Sequence, residues 1–315
     1  MRNKRQYDLA MLYRLVALFI ALVLSLTSIP ANAILGGTPS KNNPIVVALT
    51  RDMLDSTASC TAGLIAPRVV VTAAHCINGP AESYWITAPG SDIESLDVVK
   101  IQAKEIFISP EFTRGSFPYQ NDFAVILLKS AFKNIKPIRI ASMDEVKTWT
   151  NEESSITHIG YGRYEVVGPN QSGLTMVTSP IPLEFETTFS KQVPWQYQNM
   201  KENTFSLTKV TIDKAVCAGD SGSPLIKKVG SEWVYIGVQS GGNGAGCIAP
   251  CPEICVANQA LAVADLATLK KVSSYLTEST AISVSNNKQI VCIKGKITKT
   301  IKGKNPKCPK GFKKK

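Results

Sequence analysis

Three short stretches of this 315-residue chain hold residue types that together could break an acyl bond. His75 lies in "TAAHC" (72–76). Asp122 begins the apolar run of "NDFAVILL" (121–128). Ser221 sits in the glycine-rich "CAGDSGSPLI" (217–226). A serine hydroxyl is a weak nucleophile at neutral pH. It needs a base within hydrogen-bond reach, and the base needs a third group to hold its tautomer. His75, Asp122 and Ser221 could fill those roles if the fold brings them together. Gly219 allows a turn in which its N–H and that of Ser221 aim at one point, where a developing oxyanion would be stabilised. The chain has only two histidines. The other, His158 in "SSITHIGYG", falls in a strand-like run and reads as structural or incidental.

The elements that must position these residues are short. From residue 34 to about 257 the apolar runs are rich in Val and Ile: IVVAL (45–49), RVVVTA (68–73), VVKIQAKEIFI (98–108), FAVILL (123–128) and WVYIGV (233–238). Frequent turn residues break them, which predicts an all-β fold, a sandwich or barrels. One helix is expected near the end of this body. Leu266, Leu269, Val272 and Leu276 share a face, and Asp265 is placed to cap it. A polar stretch, 278–287, reads as a linker.

Residues 1–33 read as a secretory signal. Arg2, Lys4, Arg5 and Arg14 form a basic start, 15–29 is apolar, and Ala31-Asn32-Ala33 is a small-x-small cleavage site. The apolar run is shorter than the ~20 residues a membrane span needs. Export explains the eight cysteines, 60, 76, 217, 247, 251, 255, 292 and 308, as disulfides rather than metal thiolates. Cys247, Cys251 and Cys255 recur every four residues, but Pro250 and Pro252 forbid the helix that would align them as ligands. No cofactor or metal is expected. The formal charge of +11 divides unevenly: +3 over 1–33, −3 over 34–287 and +11 over 288–315, which holds eleven lysines and no acid.

The motifs TAAHC (72–76), ND-x-A (121–124), GYG (160–162), GDSGSP (219–224) and VQSGG (238–242) stand in one order across roughly 34–277. The chain resembles the chymotrypsin/trypsin-type serine endopeptidases. The resemblance implies two six-stranded antiparallel β-barrels, an active site between them and a C-terminal helix. It implies His75, Asp122 and Ser221 as the triad and the N–H groups of Gly219 and Ser221 as the oxyanion hole. Ala215 and Val216 would form the pocket floor, and Ser240, Gly241 and Gly242 its wall. Trypsin-like members carry an aspartate where Ala215 stands, so an apolar residue before the scissile bond is expected, because a cation would be desolvated unpaired. Gly241 stands where many members have a bulky aromatic, and Ser223 replaces a second glycine. The family pairings imply disulfides Cys60–Cys76 and Cys217–Cys247. Cys251–Cys255 and Cys292–Cys308 are the simplest remaining pairs, with crossed pairing open. Members also begin with an apolar-Gly-Gly sequence whose new α-amino group pairs with the aspartate before the nucleophile, here Ile34 and Asp220. Ile34 follows Ala33 directly, so one cut would both export and activate.

The chain therefore divides into a signal (1–33), a protease domain (34–277), a linker (278–289) and a basic module (290–315). The last resembles a short Lys-rich C-terminal module of secreted bacterial proteins. A hairpin is expected around Lys294-Gly295-Lys296, stapled by Cys292–Cys308. Its charge suits retention on an anionic cell-envelope surface. Nucleic acid is not expected, since only Phe312 accompanies the lysines. A protein or peptide substrate, a monomeric state and a secreted location follow from the same reading. The alternative is a catalytically silent protease fold used for surface binding, because fold alone does not fix function.

Overall fold

The computed structural model describes residues 34–40, 43–115, 117–167, 175–211, 213–242, 255–277, 288–294, 297–303, 307–309 and 311–314. The expected signal (1–33), the 278–287 part of the linker and residues 243–254 lie outside the described residues.

After a short strand, β1 (Thr38–Pro39), six strands close into an antiparallel barrel. They are β2 (Val46–Thr50), β3 (Cys60–Ala66), β4 (Val69–Thr72), β5 (Trp85–Thr87), β6 (Lys100–Ile108) and β7 (Ala124–Leu128), in the order β2-β3-β4-β7-β6-β5. Every residue of β2, β3, β4 and β7 is buried. Side chains alternate between two faces of a strand, and here both faces meet a core. Val47, Leu49, Leu64, Val70, Ile126 and Leu128 pack with Tyr84 and Ile86. Their neighbours Val46, Ala48, Ile65, Val71, Val125 and Leu127 pack against Ile159, Tyr161, Ile226 and Tyr235 of the second half. Two cores explain why these runs are continuously apolar instead of alternating.

The second half does not form a barrel. It contains β8 (Arg139–Ile140), β9 (Ser155–Gly160), a hairpin of β10 (Arg163–Val167) and β11 (Thr175–Thr178), then β12 (Leu183–Thr188), β13 (Phe205–Lys209), β14 (Pro224–Val229), β15 (Glu232–Gly242) and β16 (Val256–Leu261). Outside the separate β10–β11 pair, these strands and β1 make an eight-stranded sheet, β1-β12-β9-β14-β15-β16-β13, with β8 parallel to β15. The expected second barrel is thus corrected to an open sheet. Closure would require β12 to pair along β13. A single bridge, Phe189 to Thr208, joins that seam. The chain between them leaves through Pro194 and the 3₁₀ turn Trp195–Tyr197.

The expected C-terminal helix is also corrected. It is two pieces, with α1 (Met143–Asn151) earlier in the chain and α2 (Leu266–Lys270) and α3 (Ser273–Leu276) at this end. Asp265 does cap α2, accepting from Thr268 N at 3.2 Å. The helix breaks where fully buried Val272 turns into the core beside Leu269, with φ −117° and ψ 15°. Leu266 points outward and is 60% exposed. Further along the chain, β17 (Lys288–Lys294), β18 (Ile297–Gly303) and β19 (Lys313–Lys314) form a small sheet, with β17 starting inside the expected linker (278–289), and Cys292 is bonded to Cys308. The expected hairpin and staple are therefore present.

Candidate active site

His75 lies on the 3₁₀ turn Ala74–Cys76 that ends β4. The Cys60–Cys76 disulfide ties this turn to the start of β3. Asp122 is fully buried just before β7, which pairs with β4 through Thr72 and Ala124. The backbone N–H of His75 donates to Asp122 Oδ1 at 2.8 Å, and His75 Nδ1 lies 2.6 Å from Oδ2. Ser240 Oγ, from β15, donates to the same Oδ2 at 2.6 Å. A carboxylate only accepts, so Nδ1 is the donor, and in the neutral ring this leaves the lone pair on Nε2. Sequence reasoning placed Ser240 only in the pocket wall. The structure makes it a ligand of Asp122 as well.

Ser221 belongs to a loop clamped against β3. Thr61 N donates to Ser221 O at 2.9 Å, and Thr61 Oγ1 donates to Gly219 O at 2.9 Å while accepting from Tyr161 N at 2.9 Å. Gly219 and Gly222 have φ of +99° and +80°, a region open mainly to glycine. A Cβ on Gly222 would fall 2.0 Å from Thr72 Oγ1. Cys76 Sγ lies 3.7 Å from Ser221 O, so the serine loop meets the turn that carries His75. Among the described residues no hydrogen bond joins the Ser221 hydroxyl to His75. Thr61 was not legible as a site residue, since a threonine in a strand carries no signal of a distant partner. Cys60, His75 and Cys76 cluster as metal-ligand types, but both sulfurs are consumed by the disulfide and no thiolate remains to bind a metal.

Asp220 is the second fully buried aspartate of the site. Its carboxyl accepts from Gly162 N and Cys217 N, both at 2.8 Å. Burial outweighs these donors and pushes its pKa up to about 7. The GYG motif makes room for it: a Cβ on Gly162 would sit 2.4 Å from the carboxyl group. Ile34 is fully buried among Leu183, Phe185, Ala215 and Val216. Leu35 pairs with Ala215, whose N–H donates to Leu35 O at 3.2 Å. The start of this body is therefore seated under the pocket floor that sequence reasoning assigned to Ala215 and Val216. Ser240 is buried, and Gly241 and Gly242 are half-buried. Cys217 and Cys255 are disulfide-bonded. Cys247 and Cys251, named as their partners, lie outside the described residues.

Two aromatic residues in "FPY" (117–119), just before Asp122, were missed. Tyr119 stacks on His75 with ring centroids 5.2 Å apart, and Phe117 sits over Gly241. His158 is structural, as expected. It is buried on β9, stacks on Phe185 at 5.1 Å and meets Thr208 Oγ1 at 2.8 Å. Burial lowers its pKa to about 3, which keeps it neutral.

Residues 34–262 match the Trypsin family. The chain belongs to the trypsin family of serine-protease domains. It is 25% identical over 221 residues to a trypsin-like protease of Streptomyces glaucescens, covering 67% of this chain and 73% of that one. Chymotrypsin-C of Bos taurus is 27% identical over 193 residues, 60% of this chain and 69% of its own. Proproteinase E of Bos taurus is 26% identical over 194 residues, 60% and 74% respectively.

Two outcomes are expected from this geometry. Thr61→Val keeps the shape but strands Tyr161 N and Gly219 O, and denaturant unfolding should show a loss of at least about 1–3 kcal/mol; a loss below about 0.5 kcal/mol would contradict the clamp. For Asp220, the folded chain that still carries residues 1–33 holds the proton up to about pH 7. The unfolded chain holds it only below about pH 4. Between these values the folded state binds more protons, so this group's contribution to stability falls as pH rises. Against Asp220→Asn as reference, wild type should lose ground from pH 4 to 7 and then level off. A stability difference flat across pH 4–7 would contradict it.

Proposed function

We propose that this chain is a secreted serine endopeptidase in which His75, Asp122 and Ser221 act as the triad. The observation that carries the reading is the His75–Asp122 contact, 2.6 Å long, with Nε2 left free on the histidine beside the Ser221 loop. Ser221 Oγ attacks a peptide carbonyl and passes its proton to His75 Nε2. The imidazolium is held by Asp122 and returns the proton to the leaving amine. Water then repeats the steps on the acyl-enzyme. The N–H groups of Gly219 and Ser221 serve the oxyanion, and the positive φ of Gly219 is compatible with that aim.

Ala215 at the pocket floor offers no anion, so an apolar residue before the scissile bond is favoured. The α-amino group of Ile34, once freed, pairs with Asp220. Two features support this. Ile34 is already buried beside the floor, and Asp220 lacks a cationic partner among the described residues. Cleavage after Ala33 would then join export to activation. The leader and the disulfides support a secreted location. The protease domain is assigned to 34–277 and a monomer, with a lysine-rich module at 290–315 that retains the enzyme on an anionic envelope surface.

A fluorophosphonate probe should label Ser221 in protein beginning at Ile34, and Ser221→Ala and His75→Ala should abolish labelling. Asp122→Asn should slow turnover by about 10⁴-fold, the size of that change in this family's own triad. A peptide panel should be cut after apolar residues. Absence of labelling would favour the silent, surface-binding alternative, and cleavage dominated by arginine would overturn the pocket assignment.

A further inference from the structure

The last stretch of the chain carries its charge on two faces of one small sheet. Residues 288–315 hold eleven lysines and no acidic side chain, so no carboxylate of this stretch offsets them. β17 is the middle strand, with β18 on one side and β19 on the other. The register sets Lys299 of β18 and Lys314 of β19 opposite Cys292. It sets Lys302 opposite Gln289 and Lys313 opposite Ile293. Residues opposite one another share a face, and successive residues of a strand alternate between faces. Lys299 and Lys314 therefore stand on the Cys292 face, and Lys302 and Lys313 on the Ile293 face. Lys313 and Lys314 are both exposed. Cys292 is fully buried and bonded to Cys308.

This two-faced arrangement discriminates between anionic partners. A sheet with its side chains is about 10 Å thick, more than the ~8 Å over which physiological salt screens charge. A flat lipid surface that meets one face leaves the lysines of the other outside its field. The stretch also lacks an exposed aromatic anchor for a lipid interface. Its one aromatic, Phe312, is half-buried in a turn where its N–H donates to Pro309 O at 2.9 Å. The same lack withholds a stacking platform for nucleic-acid bases. A flexible polymer of repeating anionic groups meets neither obstacle, because it can pass over both faces.

We propose that this sheet is the binding site for a linear polyanion other than nucleic acid, which wraps both faces at once. The inference deepens the anion-retention reading of the module and rests on it. Lysines that neutralise the polymer release its condensed counterions, so affinity falls steeply with salt.

The test uses the chain beginning at Ile34, with Ser221→Ala to stop self-cleavage. The probes, at matched anion concentration, are long-chain polyphosphate, oligothymidylate, and vesicles of phosphatidylcholine and phosphatidylglycerol in equal parts. Polyphosphate should bind tightest, and its affinity should drop about 10²-fold or more between about 50 and 200 mM salt. The pairs K299Q/K314Q and K302Q/K313Q should each weaken it by about tenfold and flatten the salt dependence. An intact Cys292–Cys308 bond by mass shows that each pair has folded. The single variants Lys313→Gln and Lys314→Gln, one on each face, repeat the comparison if a pair has not. Sensitivity confined to one face, or tighter binding to vesicles or oligothymidylate, overturns the proposal and leaves anion retention standing. Binding to none of the three probes overturns retention and the proposal with it.

Discussion

A carboxylate closed off from solvent at the seam of two half-structures organises this protein. Asp122 accepts from the backbone and ring of His75 on one side and from Ser240 on the other. The first two donors belong to the barrel and the third to the open sheet. A buried carboxylate that loses its donors is strongly unfavourable, so the halves are held to one register at this point. The barrel's closure brings β4 and β7 side by side, and that pairing sets the histidine turn against the aspartate. The apolar contact of Val71, Val125 and Leu127 with Tyr235 and Ile226 carries the sheet to the same place.

Asp220 repeats the constraint on the Ser221 side. Its two donors come from the GYG turn and from Cys217, and glycines at 160 and 162 leave space for its oxygens. Thr61 then connects this loop to β3. His75 and Ser221 are therefore positioned by neighbouring strands of one barrel. Positive φ at Gly219 and Gly222 lets the loop approach so closely.

Much of this was legible in the residues. The five strand runs, the Asp265 cap and the tail hairpin all follow from local periodicity and capping chemistry, as does the placement of His158 on a strand. What was not legible depends on distance. Whether the second sheet closes turns on the β12–β13 seam, and alternation within a strand does not say which strand it will meet. The exchange between Phe117 and Gly241 joins residues from different halves, so an aromatic and a glycine each looked ordinary alone. Helix α1 had a readable signal, the capping box of Ser142 and Glu145. It was passed over because the helix buries only Val146 and so shows little apolar periodicity. The break at Val272 is a case of tertiary burial overriding a helical pattern.

The central claim is that Asp122 holds His75 in the Nδ1–H tautomer, leaving Nε2 free. With two histidines in the chain, nitrogen NMR of ¹⁵N-histidine-labelled protein reads this directly, and His158→Gln assigns the pair. At pH 8 the account predicts that His75 is protonated at Nδ1 with an unprotonated Nε2, and that Asp122→Asn disturbs this tautomer. A His75 protonated at Nε2 in the wild-type protein would contradict it.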